Sequence, residues 1–409
     1  MSRHVELTES REELVSLSVQ QAEALESIGR RLASSKVWWG SVDGSSPAST
    51  VIAVSRATDT QWRVTFRDVV GVVSLGDLQI WVVPKIAWSH FSYLLSRSSV
   101  APRVSSESVE MAHGDDLAEL LARWFVGEAE SVLRKGVRRD YVEYEEELAA
   151  VQGTIQVVPT ALNLFQGRPQ VYCEFSDLGT DSSLNRVLKR AASVVGQSTH
   201  FSPATKGRAR RVAQRLMDVG EMATSDLRVQ IDRNSRQYSR ALPLAKLLIG
   251  GSGLSDTVGS VTGAAFLLRT PELIEDGVRS VLSELLPDET IRKRQLLLGG
   301  SALTINPDLV FEGRQAVGDV KYRKLSRDWD RSHFNQVVTF ATGFNARRAC
   351  ILGFTDRSDS AVPKRTKIGG LDVVAFGWST LVEIEPQAAA LKIASELGSW
   401  LHSKISAYG

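Results

Sequence analysis

The sequence is poor in cysteine: Cys173 and Cys350 are the only two in 409 residues. Two cysteines cannot build a disulfide framework, and these lie too far apart for a CxxC redox or zinc motif. The six histidines, at positions 4, 90, 113, 200, 333 and 402, form no HxH or HExxH pair, which argues against a zinc hydrolase. No apolar run approaches the roughly 18–20 residues that a membrane helix needs. The opening Met1–Glu6 lacks the apolar core of a signal peptide. A cytoplasmic chain with no membrane partner is therefore expected. A GxxxxGK-S/T loop is missing too, so the chain is not expected to hydrolyse nucleotide itself. Net charge is nearly absent: 49 Lys and Arg against 47 Asp and Glu leave +2, divided as 0, +1 and +1 over residues 1–100, 101–255 and 256–409. No part is basic enough to hold nucleic acid by overall charge.

What is present suggests two or three domains. After a short polar arm, Val19, Ala22, Leu25, Ile28 and Leu32 recur at helical spacing behind Ser18, a natural N-cap. Residues 36–86 read as strands: Val37–Trp39, Val51–Val54, Trp62–Phe66, Val69–Val73, and Leu78–Val83 ending at Pro84. Helices are expected at 115–136, 184–196, 204–217 and 237–249, with a strand-like piece at Gly153–Val158. Gly250-Gly251-Ser252-Gly253 is the clearest linker signal. Beyond it helices and strands alternate. Thr270 is a candidate cap for a helix with Pro271 first, followed by strands at 302–311 and 315–322, a helix near 330–345, strands at 349–354 and 371–376, and a helix at 387–404. The expectation is a multidomain α+β protein. It has a β-rich domain with its leading helix (1–100), a mainly helical middle (101–255) and a C-terminal α/β domain around a mixed sheet (256–409).

The segment that carries chemistry is Asn306 to Tyr322. If Gly313-Arg314 form a two-residue type II′ turn, Asp308 sits directly opposite Asp319 in a hairpin. Lys321, two residues on, points from the same face as Asp319. Two opposed carboxylates repel without a counter-charge. A bound Mg2+ would supply it and would activate water, while Lys321 would position or deprotonate that water or steady the charge building on a phosphate. The plainer alternative is a pair of chance acids, as in the decoy Pro287-Asp288, which reads as a solvated turn acid. Against chance, Asp308 and Asp319 both interrupt strongly apolar strands, where uncompensated charge is costly.

Here the segment resembles the PD-(D/E)XK nuclease superfamily, and the chain around it is similar to the McrC family, the nuclease subunits of McrBC-type modification-dependent restriction systems. Gly71 through Ile80-Trp81-Val82-Val83-Pro84-Lys85-Ile86 resembles that family's glycine and PKI signature. Arg134-Lys135-Gly136 with Tyr141, and Asp181 to Lys189, resemble its central region. The helix from Pro271 to Val278 resembles the one preceding the nuclease strands. Asp319-Val320-Lys321-Tyr322-Arg323-Lys324 resembles D-x-KYK, and Gln336 to Phe340 matches Q-x-x-x-Y with Phe for Tyr. The resemblance spans roughly residues 65 to 355.

The resemblance implies that Asp308, Asp319, the Val320 carbonyl and Glu275, the upstream acid, hold Mg2+, with Mn2+ as a substitute. Lys321 would serve the nucleophile, and Gln336 would orient water, Lys321 or a phosphate. Plainer roles stand beside these: a first-turn acid for Glu275 and a surface helix residue for Gln336. Implied partners are double-stranded, modified DNA and a separate McrB-like AAA+ GTPase, a hexameric ring in the family, which the front domains would dock on and stimulate. The other readings are a catalytically silent adaptor or activator of an AAA+ NTPase, and a stand-alone DNA repair-type nuclease. Eight basic residues and no acid lie between Arg186 and Arg215. Arg186, Lys189, Arg190, Lys206, Arg208, Arg210 and Arg211 are candidates for DNA or partner contact, with a solvated helix pair as the alternative. A second basic cluster, at 321, 323, 324, 327 and 331, follows the hairpin.

Overall fold

The computed structural model describes residues 3–34, 51–98, 114–198, 200–258, 261–300, 303–326, 328–356 and 364–403. The strand expected at Val37–Trp39 and the basic residue Arg327 lie outside them. The chain divides into two compact units, Met1–Ala118 with Gly251–Gly409, and Glu119–Gly250. One division falls at the Gly250–Gly253 cluster. The boundaries expected at 100/101 and 255/256 are drawn differently by the packing, because strands after the linker return to the first sheet.

That sheet has five strands in the order Arg3–Thr8, Leu78–Val83, Val69–Leu75, Val261–Arg269 and Ser252–Val258. Arg3–Thr8 runs parallel to Leu78–Val83 and the other pairs are antiparallel. The expected polar arm is thus an edge strand, and Val5 and Leu7, two apart, turn its inner face to the core. Leu78, Ile80 and Val82 are buried in strict alternation. Helix Val19–Ser34 lays Ala22, Leu25, Ile28 and Leu32 on the same core. Ser18 Oγ accepts from Gln21 N at 3.1 Å and Gln21 Oε1 from Ser18 N at 3.0 Å, a reciprocal capping box. A small sheet ordered Glu13–Ser16, Gln61–Phe66, Ile52–Arg56 completes this layer.

Strand Val261–Arg269 leads at once into helix Pro271–Leu285. Pro271 opens the helix as expected, but Thr270 does not cap it: its hydroxyl donates to the buried Glu9 carboxylate instead. Helix Trp88–Arg97 packs against this helix at Gly277, where a Cβ would stand 2.4 Å from the Leu94 carbonyl.

The second sheet of this unit is six-stranded, in the order Ile291–Arg292, Leu309–Phe311, Ala316–Lys324, Arg348–Thr355, Leu371–Ser379 and Lys364–Ile368. The three long central strands are parallel and the flanking pairs antiparallel. Helix Arg331–Gly343 covers one face through Val337, Phe340 and Ala341, against Val317, Ile351 and Val373. Helix Pro386–His402 packs on the strand Leu371–Ser379, with Trp400 edge-on to Phe376 and its Nε1 2.8 Å from Asp372. Arg348–Thr355 is buried along its whole length, which is why Ala349 to Phe354 is a continuous apolar run.

The unit Glu119–Gly250 contains most of helix Gly114–Lys135 and the helices Val157–Phe165, Ser183–Gln197 and Pro203–Arg215, with Ala241–Gly251 at its end. It also carries a three-stranded antiparallel sheet ordered Asp140–Leu148, Val171–Gly179, Thr154–Ile155. The expected strand-like piece at 153–158 is split: Thr154–Ile155 pairs, and Val157 starts a helix whose first turn accommodates Pro159.

Candidate active site

Leu309, Val310 and Phe311 pair with Gly318, Val317 and Ala316. This is the register expected from sequence, but the turn differs. The Phe311–Ala316 pair closes a four-residue loop in which Gly313 (φ 80) and Gln315 (φ 49) both adopt left-handed conformations. Beyond the last pair, Asp308 and Asp319 are both buried and interacting. Asp308 Oδ2 accepts from the Val320 N–H at 3.0 Å, which ties its carboxylate to the neighbouring strand.

Lys321, on the face of Asp319 and Val317, reaches under helix Arg331–Gly343. Its Nζ lies 2.6 Å from Asp319 Oδ2 and 2.9 Å from Gln336 Oε1. The Asp319 contact lies off the direction of a hydrogen bond, so this buried oxygen has charge compensation but no donor. Asp330 caps the helix through Ser332 N and His333 N, which fixes where Gln336 falls. Tyr322 points to the opposite face, edge-on to Phe354 and beneath the Lys85 ammonium at 4.2 Å from the ring centre.

Glu275, in the second turn of helix Pro271–Leu285, joins the cluster through a residue that the sequence does not advertise. Lys293 Nζ stands 3.1 Å from Asp308 Oδ1 and 3.3 Å from Glu275 Oε2. The only sequence signal is a lysine between two arginines just ahead of the acid hairpin. Burial, then the Asp308 charge, hold the Glu275 carboxyl well above the usual range, against the pull of Lys293. Burial likewise raises Asp319, opposed by Lys321 and reinforced by Asp308. Burial works against the charge on Lys293, but Asp308 and Glu275 outweigh it and hold that ammonium above its ordinary pKa.

Asp308 and Asp319 are acidic, buried and short of donors at Asp319 Oδ2, which suits a hard cation. Among the described residues no three His, Cys, Asp or Glu side chains stand together at the spacing that grips an ion. Asp308 and Asp319 are thus the two carboxylates that suit Mg2+ or Mn2+, and Glu275 does not join them at that spacing.

The other basic candidates lie in the unit Glu119–Gly250 and mostly hold partners within it. Arg186 forks onto Asp181 at 2.7 and 2.8 Å, and Arg208 onto Glu130 at 3.1 and 2.8 Å. Lys189 pairs with Glu221 at 3.3 Å, and Arg210 Nε donates to the Gly196 carbonyl at 2.9 Å. Arg190 and Arg211 are exposed and Lys206 is half-buried. After the hairpin, Arg323 pairs with Asp330 and Lys324 with Asp356. The decoy Asp288 is exposed in its turn.

A mixed sheet carrying a paired-acid hairpin, with a lysine beside it and helices on both faces, defines the class: a multidomain α+β protein with an acidic, lysine-bearing centre. The chain belongs to the family described as McrBC 5-methylcytosine restriction system component, whose model matches residues 64–354. One similar solved structure is the half-complex from the tetradecameric assembly of Thermococcus gammatolerans McrB AAA+ hexamers with bound McrC. The match has a TM-score of 0.58 at 16% identity and covers 96% of this chain and 100% of that one. Another is the Thermococcus gammatolerans McrBC complex, with a TM-score of 0.45 at 16% identity, covering 69% and 88% of the two chains. No curated protein matches.

Proposed function

We propose that this chain is the DNA-cleaving subunit of a modification-dependent restriction system, a PD-(D/E)XK nuclease that works with a McrB-like AAA+ GTPase. The observation that carries this reading is the convergence of Asp308, Asp319, Lys321, Gln336 and Glu275 at one edge of the mixed sheet, from three separate stretches of sequence. Hydrolysis joins a water oxygen to phosphorus, releases a proton from that water and expels an ester oxygen that takes one up. Asp308, Asp319 and the Val320 carbonyl would hold Mg2+, which would supply Lewis-acid polarisation of the phosphate and acidify water. Lys321, steered by Asp319 and Gln336, presents its ammonium to the charge that grows on the phosphate.

A partner reading draws support from the structure and from relatives. In the similar archaeal assembly McrC is bound to McrB AAA+ hexamers. In this chain, helix Val157–Phe165 exposes Val157, Val158, Leu162, Leu164 and Phe165, the last at 90%. Such an apolar helix face is typical of a docking surface.

The test uses the chain with its AAA+ partner, Mg2+ and modified DNA. Asp319→Ala and Lys321→Ala should each abolish cleavage while complex formation and nucleotide hydrolysis by the partner persist. Cleavage that survives either substitution overturns the site assignment.

A further inference from the structure

We propose that Lys293 is a displaceable counter-cation: it holds Glu275 and Asp308 until a divalent ion takes its place. The proposal rests on the metal-dependent reading above and adds a residue that neither the motif nor the family signature includes.

The first ground is contact. Asp308 has two oxygens, and both are engaged: Oδ2 with the Val320 N–H and Oδ1 with Lys293. The Val320 contact is built into the sheet edge and cannot easily be given up. The Lys293 contact is made by a flexible side chain. An ion at Oδ1 would stand close to the Lys293 ammonium, and the two cations would repel each other across that oxygen. The same ammonium holds Glu275 Oε2, so one side chain restrains two of the three acids.

The second ground is charge. Once a bound cation holds Glu275 and Asp319 in their charged forms, Glu275, Asp308 and Asp319 face Lys293 and Lys321, three negative charges against two positive. Adding a divalent ion to that set leaves a buried excess of one positive charge. Putting the ion in place of Lys293 makes the set neutral. Buried charge is tolerated when it is balanced and is costly when it is not, so ion entry and Lys293 departure belong together.

The third ground is position. Lys321 sits on a central strand, its side chain 20% exposed, and is steadied by Gln336 as well as Asp319. Lys293 follows the two-residue edge strand Ile291–Arg292 and is 37% exposed. Of the two lysines it is the one with solvent to move into, and a four-carbon ammonium stem swings at little cost.

The test is calorimetric titration of the full-length chain with Mn2+ and Mg2+, without DNA. Lys293→Met should bind about tenfold tighter or more than wild type, because the competing cation is gone. Lys293→Arg, which keeps the charge, should bind no tighter than wild type. Thermal unfolding without metal checks that both variants fold, and Lys293→Gln replaces Lys293→Met if the latter does not. Unchanged or weaker binding by the neutral variant overturns the proposal, weaker binding marking Lys293 as a support that positions Asp308. Tighter binding by both Met and Arg variants also overturns it, since loosening rather than charge removal would be the cause. Asp308→Asn separates the two levels. If wild type binds metal and Asp308→Asn does not, the metal site stands whatever Lys293 does. If no variant binds metal, the metal-dependent reading fails together with the proposal.

Discussion

Lys321 is steadied from two sides, by a buried carboxylate and by a side-chain amide. The amide has no charge to contribute and acts by aim. Gln336→Leu should leave the helix intact, since its cap and its Val337, Phe340 and Ala341 contacts are untouched. It should lower cleavage by about 10- to 100-fold, the usual effect of losing a supporting hydrogen bond at a metal centre. A loss as complete as that of Asp319→Ala would instead give Gln336 a direct role. Glu9 offers a different residue-scale test. Burial raises its carboxyl from the ordinary 4.5 to about 7, although Lys85 and Thr270 pull the other way. Folded Glu9 keeps its proton up to about pH 7, whereas the unfolded chain releases it near 4.5. Between those values folding takes up a proton. This contribution to stability is full below pH 4.5 and is lost as pH rises through 7. Glu9→Gln, which mimics the protonated form, should be more stable than wild type at pH 8 by on the order of 2 kcal/mol. The advantage should vanish toward pH 4.5 in denaturant titrations. A less stable variant at pH 8 would mean that the ion pair with Lys85 outweighs burial.

Elements were legible where a local rule coincided with the tertiary outcome. Ser18 caps its helix through the reciprocal Gln21 contact, Pro271 opens another, and the hairpin register follows from apolar strands flanking a glycine turn. The turn type did not follow, because the four-residue loop is anchored from outside: Glu312 N donates to Thr290 O, and Gln315 O accepts from Arg347 and Arg348. Strands Ser252–Val258 and Asp140–Leu148 were not legible. The first is rich in glycine and serine, and the second carries four glutamates, so neither shows the β-branched pattern that marks a strand. Lys293 stayed hidden because a basic triplet reads as surface charge; only the fold turns one of its members onto two acids. Gly71 is a position where the element demands its residue. Its φ is +139, and a Cβ there would lie 2.1 Å from the Phe266 carbonyl oxygen of the paired strand. Gly71→Ala should therefore destabilise the chain by ~2–3 kcal/mol in urea unfolding. A near-neutral result would show that the Val69–Leu75 and Val261–Arg269 strands can part locally without cost.

At the scale of the whole molecule, the near balance of charge acquires a structural meaning. The run from Arg186 to Arg215 looked like a footprint for phosphate, yet Arg186, Lys189, Arg208 and Arg210 all hold partners within their own unit. A guanidinium already forked onto a carboxylate must lose that partner before it can grip DNA, so it adds little to affinity. Arg208 separates the two roles. As an internal brace between helices Pro203–Arg215 and Gly114–Lys135, it should cost ~1 kcal/mol when changed to alanine, a modest value because the pair is about one-third exposed. As a phosphate contact, its loss would lower DNA affinity and flatten the dependence of log affinity on log salt by about one unit. The expected outcome for Arg208→Ala is a lower unfolding midpoint with DNA affinity and salt slope unchanged, measured on the isolated chain across a salt series. Weak, salt-sensitive binding by that isolated chain is expected with or without the substitution. On the proposed reading, a nuclease of this charge would depend on its partner, rather than on its own field, to be brought to DNA.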